Sequence, residues 1–102
     1  MTIIYKKSFE NQLLQIVNYI SKDKVSASIK FANELEKLIF SIPDNPYKYR
    51  KSIYFSNKNI RDMIYKGYTV SYKINLQKNQ IEILRIFNRN KPPKDITNHS
   101  SP

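Results

Sequence analysis

The sequence predicts an α+β fold in which a two-helix antiparallel hairpin packs on one face of a small antiparallel sheet, in the order β-α-α-β-β-β. Three observations lead there. Apolar residues recur with helical period from Phe9 to Ile42, they alternate with period two from Tyr68 to Ile74, and turn signals at Pro43-Asp44-Asn45-Pro46 and Gln77-Lys78-Asn79-Gln80 punctuate the second half. At 102 residues the chain has room for one domain, which should bury about 65% of its unfolded surface.

Thr2 to Lys6 is a short β-prone run, and Ser8 after it is a natural helix N-cap. Phe9, Leu13, Ile16, Val17 and Ile20 then form one apolar face, while Glu10, Gln12, Gln15 and Asn18 are expected to point away. Ser21-Lys22-Asp23-Lys24 makes a turn. Val25, Ile29, Ala32, Leu35, Ile39 and Ile42 continue the helical spacing through a second helix halted near Pro43. Phe31 and Leu38 widen its apolar sector, which suggests core with the option of a partner-binding strip.

Tyr47-Lys48-Tyr49-Arg50-Lys51 interleaves aromatic and basic side chains, a pattern that suits stacking and phosphate contact but equally suits tyrosines packing over a sheet edge. Gly67, the one glycine in the chain, marks either a hairpin turn or a bulge. In the strand that follows, Tyr68, Val70, Tyr72 and Ile74 share the core face, and Thr69, Ser71, Lys73 and Asn75 share a polar face expected to be free. The last strand, Ile81 to Arg89, is apolar on both faces, with Ile81 and Ile83 opposed to Leu84 and Ile86, so it reads as central. One domain is expected over residues 1–89. Residues 90–102, with Lys91-Pro92-Pro93-Lys94 and a polar end holding His99, read as a flexible tail.

Lysine and arginine total 18 against 8 acidic residues, a formal charge of +10 that points to an anionic partner. The surplus is uneven: residues 1–43 hold 6 basic and 4 acidic side chains, residues 44–94 hold 12 and 3. With no cysteine and one histidine, disulfide scaffolds, thiolate zinc sites and histidine-based triads are excluded. No metal or cofactor is expected. No apolar run is long enough to span a membrane, and no signal peptide is evident, so a cytoplasmic protein without membrane partners is expected. Asp62 and Glu82 are the only carboxylates in the strand region and are unpaired in sequence, which excludes two-carboxylate hydrolysis. Arginine, lysine and tyrosine in quantity permit metal-free RNA cleavage, with cations stabilising charge on phosphorus and a lysine or tyrosine moving the 2′-hydroxyl proton.

From Thr2 to Arg89 the chain resembles the RelE/ParE superfamily of type II toxin–antitoxin toxins. The resemblance is carried by the opening strand and helix with Ile16, Val17 and Tyr19-Ile20, the long helix from Ala27 to Ile42 ending at Pro43, and Tyr49-Arg50. Arg61 preceding Tyr68 and Tyr72, and the closing Ile83-Leu84-Arg85-Ile86 with Arg89, complete it. Such a resemblance implies a basic growth inhibitor neutralised by a cognate acidic antitoxin, often in plasmid or locus stabilisation. It also implies one of two targets: DNA gyrase for ParE-like members, or messenger RNA in the ribosomal A site for RelE-like members.

Matching residue by residue favours the ParE-like branch. Thr69 stands where RelE-like nucleases have a third-strand arginine, Ile60 and Asp62 stand at their lysine pair, and Asp95 lies near their tyrosine; only Arg89 is retained. The ParE-like pattern is met by Arg61, Tyr68, Tyr72, Arg85 and Arg89. Arg50, Arg61, Arg85, Arg89, Phe31 and Leu38 are therefore the expected contacts to target or antitoxin, and Lys51, Arg61, Tyr68 and Arg89 the catalytic set of the alternative, a ribosome-dependent ribonuclease. For Arg61 and Arg85 a structural alternative is pairing with Asp62 or Glu82 across the sheet. A third reading is a non-toxic basic nucleic-acid-binding module.

Overall fold

The computed structural model describes residues 1–93; Lys94, Asp95 and His99, and with them most of the expected tail, lie outside the described residues. The elements run β1 (Thr2–Tyr5), α1 (Lys7–Asp23), α2 (Val25–Ser41), a 3-10 turn (Ile42–Asp44), β2 (Arg50–Lys51), β3 (Ile60–Tyr65), β4 (Tyr68–Asn75) and β5 (Gln80–Asn88). The helical hairpin lies on one face of a five-stranded sheet of order β1-β5-β4-β3-β2. The α+β architecture is as expected, with two additions. Arg50–Lys51 is a strand, pairing antiparallel with β3, and β1 pairs parallel with β5, because the helical hairpin returns the chain to the sheet in the sense that sets the last strand alongside the first.

Helix α1 begins one residue before the expected cap, with extended Lys6 at the N-cap and no side chain bonded there. A single extended residue, Lys24, separates the helices. From α1, Phe9 is buried and Leu13, Ile16 and Ile20 pack on the core; α2 contributes Phe31, Leu35 and Ile39, and Ile42 follows. The sheet supplies Met63, Tyr65, Val70, Tyr72, Ile74, Ile81, Ile83 and Ile86. β3 and β4 meet through a two-residue turn with Lys66 at φ 48° and Gly67 at φ 82°, so the glycine marks a hairpin turn of the type whose backbone matches strand twist.

Two expectations about faces are corrected. Ile86 was expected opposite Ile81 and Ile83, yet all three are buried in one core. The register slips between Ser71 and Tyr72, which face Arg85 and Ile83, leaving Leu84 as the extra residue of a bulge. That extra residue restores Ile86 to the helix side and turns Phe87 to the other. The second correction concerns the polar face of β4. Thr69 and Ser71 are fully buried and Asp62 is 2% exposed, because the segment 52–59 folds back over that face. Its anchors are the Ile53 amide donating to Asp62 Oδ2 (3.3 Å) and Tyr54 packed edge-on to Phe87 with ring centroids 5.1 Å apart. Ser71 Oγ donates to Asp62 Oδ1 at 2.8 Å, so the buried carboxylate joins two strands and the covering segment.

Gln12 also departs from its expected outward position. β1 is four residues long, so β5 beyond Ile83 has no strand on that side. Gln12 Oε1 accepts the Ile86 amide at 3.0 Å and takes the place of the missing strand.

Candidate functional site

The aromatic and basic run after the 3-10 turn forms one edge of the sheet, and Arg61 holds it there. Arg61 lies on the helix face of β3, opposite Lys51 on one side and Tyr72 on the other. Its Nη1 donates to the Tyr49 carbonyl at 3.0 Å and its guanidinium lies 5.0 Å from the Tyr47 ring centroid. Its Nε is buried without a hydrogen-bond partner. Below it the fully buried Tyr72 donates its hydroxyl to the Pro46 carbonyl at 2.6 Å, and burial raises the phenol pKa well above its usual value. Tyr49 stands edge-on to the Tyr72 ring, and the Lys48 ammonium sits 5.4 Å from the Tyr49 centroid. The tyrosines of this run thus pack over the sheet edge, while Arg50 and Lys51 are exposed on it.

Arg61 and Asp62 are neighbours in one strand and so face opposite sides of the sheet, Arg61 toward the helices and Asp62 outward. On the outer face Arg50, Asp62, Ser71 and Arg85 stand in one cross-strand row, with the arginines at its two ends. Arg89 is exposed just past β5, its amide bonded to the Gly67 carbonyl at 2.9 Å.

At the far end of the sheet Tyr65 and Tyr68 pair across the hairpin and both pack on Phe31, with centroids 5.1 Å and 5.5 Å away. Tyr65 donates to Glu34 Oε2 at 3.0 Å; burial first, and the Glu34 carboxylate second, push the phenol up to about 12. That same bond, helped by Lys66 at 3.4 Å, holds the Glu34 carboxyl below its ordinary range.

Phe31 is therefore a core residue, 5% exposed, and Leu38 is half-buried against the core, so neither forms the surface strip that the widened apolar sector suggested. The apolar surface lies elsewhere. An open groove of about 520 Å³ runs between α1 and α2, walled by Leu13, Leu14 and Val17 from the first helix and Leu35, Ile39 and Phe40 from the second. Leu14 is 60% exposed and Phe40 57%. Sequence reasoning passed over both, although each doubles a core residue at the next position, Leu13 and Ile39, and so carries apolar surface around the helix from the core stripe.

The four residues of the ribonuclease alternative do not converge. Lys51 and Arg61 are cross-strand neighbours, whereas Tyr68 pairs with Tyr65 and Arg89 follows Asn88, the partner of Tyr68. Arg61 and Tyr65 are four steps apart along β3, about 13 Å. Among the described residues no group of histidine, cysteine, aspartate or glutamate is placed to hold a metal ion, and no helix is long and apolar enough to cross a membrane.

This architecture is shared with a solved structure of the chromosomal ParDE toxin–antitoxin system from P. aeruginosa, with a TM-score of 0.70 over 86% of this chain and 95% of that one. Identity is 15%, so the likeness is one of fold alone: a helical hairpin on a mostly antiparallel five-stranded sheet. No curated protein matches the chain. The family model described as the ParE toxin of the type II toxin–antitoxin system parDE matches residues 3–93, and the chain belongs to that family.

Proposed function

We propose that this chain is a cytoplasmic growth inhibitor that acts on DNA gyrase, kept inactive by a cognate acidic antitoxin and serving plasmid or locus stabilisation. Family membership supports the toxin reading. The observation that carries the choice of a protein target over RNA cleavage is the dispersal of Lys51, Arg61, Tyr68 and Arg89 over two ends of the sheet, with Arg61 engaged by the Tyr49 carbonyl. A metal-free ribonuclease needs its proton carrier and its charge stabilisers around one phosphate. What the surface offers instead is a basic edge at Arg50 and Lys51, the exposed Arg89, and an apolar groove.

The groove is where the antitoxin docks in this reading, through the apolar face of an amphipathic segment that orders on binding. Acidic residues elsewhere in the antitoxin meet the basic edge, and the net charge of +10 speeds their encounter.

Supercoiling by purified gyrase is the test. Added toxin is expected to abolish supercoiling and leave gyrase-linked DNA breaks, and the antitoxin to restore activity. Unaffected supercoiling at saturating toxin, together with codon-phased cuts in a translated message, would establish the ribosome-dependent ribonuclease instead. Salt-sensitive binding to nucleic acid with no effect on growth would point to the non-toxic module.

A further inference from the structure

The groove between the helices has the opposite charge from the protein around it. Its only charged lining residues are Glu10 and Glu36, and no lysine or arginine lines it. Neither carboxylate is in an ion pair: the pairs among the described residues are Lys6 with Glu82, and Lys30 and Lys66 with Glu34.

Both glutamates stand on the apolar rows themselves. Glu10 precedes Leu13, Leu14 and Val17 by three, four and seven positions, and Glu36 lies four after Ala32 and four before Phe40. They sit toward the same end of the groove. Tyr5, at the end of β1, lines the groove with both glutamates, and its phenol is raised by burial and, second to it, by the Glu36 charge. Glu10 lies in the first turn of α1, where a carboxylate also suits the helix dipole. Glu36 has no such role, since it lies in the second half of α2, whose last turn has no basic residue.

We propose that the groove takes the apolar face of a partner helix whose flanking rows carry lysine or arginine, set against Glu10 and Glu36, and that these two glutamates select the partner. The proposal rests on the reading of the groove as the antitoxin dock. It adds that the docking segment is locally cationic within an antitoxin that is acidic as a whole. Overall charge then governs the rate of encounter, and the two glutamates govern register and the rejection of helices with acidic flanks.

Two synthetic helical peptides of about 18 residues test this, sharing one leucine stripe and bearing either lysines or glutamates in the flanking rows. Each is titrated by fluorescence anisotropy against the wild-type protein, Glu10→Gln/Glu36→Gln and Leu14→Arg, with circular dichroism as the check on folding. The lysine peptide is expected to bind about tenfold tighter, as two rim pairs that change from repulsive to attractive imply, and the preference to vanish in the double glutamine variant. Equal affinities, a preference for the glutamate peptide as the net charge of +10 alone would produce, or a preference that survives in the double variant would overturn the proposal. The docking reading fails separately, if neither peptide binds or if Leu14→Arg leaves both affinities unchanged. A dimer in sedimentation that Leu14→Arg dissolves would overturn the choice of occupant in favour of a second copy of this chain.

Discussion

Truncating the two exposed groove residues, Leu14→Ala and Phe40→Ala, isolates the energetic part of antitoxin docking. Full burial of a leucine or phenylalanine side chain is worth about 1.5–3 kcal/mol. Leu14 is 60% exposed and Phe40 57% in the free protein, so a partner that covers them has rather more than half of that still to gain, about 1.3 kcal/mol from each. Each substitution is then expected to raise the Kd for the antitoxin about tenfold, and the pair together about a hundredfold, since they sit on different helices. Because the groove side of both side chains already faces solvent, the free toxin should lose little stability. Isothermal titration of purified toxin with antitoxin gives the first quantity, and thermal unfolding of the toxin alone gives the second. In cells the double variant should escape neutralisation while still arresting growth. A change in Kd below about twofold for the double variant, with the toxin still folded, would refute the assignment of the groove, because no covered apolar surface of that size is lost so cheaply.

Three further outcomes follow from the geometry. Tyr72→Phe removes a 2.6 Å bond from a fully buried hydroxyl and leaves the Pro46 carbonyl short of a donor, at a cost of about 1–2 kcal/mol. Thermal unfolding should show Tm lower by about 5–15 °C, and an unchanged Tm would contradict the role given to this contact. Glu82 is held below its ordinary value of 4.5 by the Asn75 amide at 2.7 Å first, then by Lys6 and Lys73. Its folded pKa is depressed, so its stabilisation is present above that ordinary value and lost as pH falls through the folded one. Urea unfolding across this acid range should therefore show a shallower pH dependence for Glu82→Gln than for wild type. Gly67→Ala meets no atom within 4 Å but must adopt φ 82°, so it should cost about 1–2 kcal/mol by backbone strain alone, read as a lower urea midpoint with unchanged slope.

The helices, the three long strands and the family were legible because each rests on local periodicity, turn chemistry or a spaced pattern, whereas Gly67 was open between a turn and a bulge until the β3–β4 register decided for the turn. The site was legible in part. Arg50 and Lys51 are exposed on a strand where a connection was expected, and the tyrosines around them pack over the sheet edge, one of the two readings open for that run. Arg61 was read as a contact to target or antitoxin, but it turns toward Tyr49 and Tyr47 because the strand alternation puts it on the helix face. Asp62 looked like an interruption of a cationic cluster, and it proved to be the buried acceptor that ties 52–59 to the sheet. Phe31 and Leu38 look no different in sequence from Leu14 and Phe40. Which pair is covered depends on the angle at which the hairpin lies on the sheet, and no local signal encodes that.

The amino-acid sequence by itself determined an α+β toxin scaffold with its positive charge concentrated in the second half, since period, turn residues and charge are properties of neighbouring positions. Only the tertiary structure decided that β1 lies parallel beside β5, that a bulge at Leu84 returns Ile86 to the core, and that 52–59 closes the outer face. It also decided that an acidic-rimmed apolar groove opens on an otherwise basic protein. Each of these depends on pairing residues far apart in the chain, where one residue of register or a few degrees of helix rotation exchanges buried for exposed.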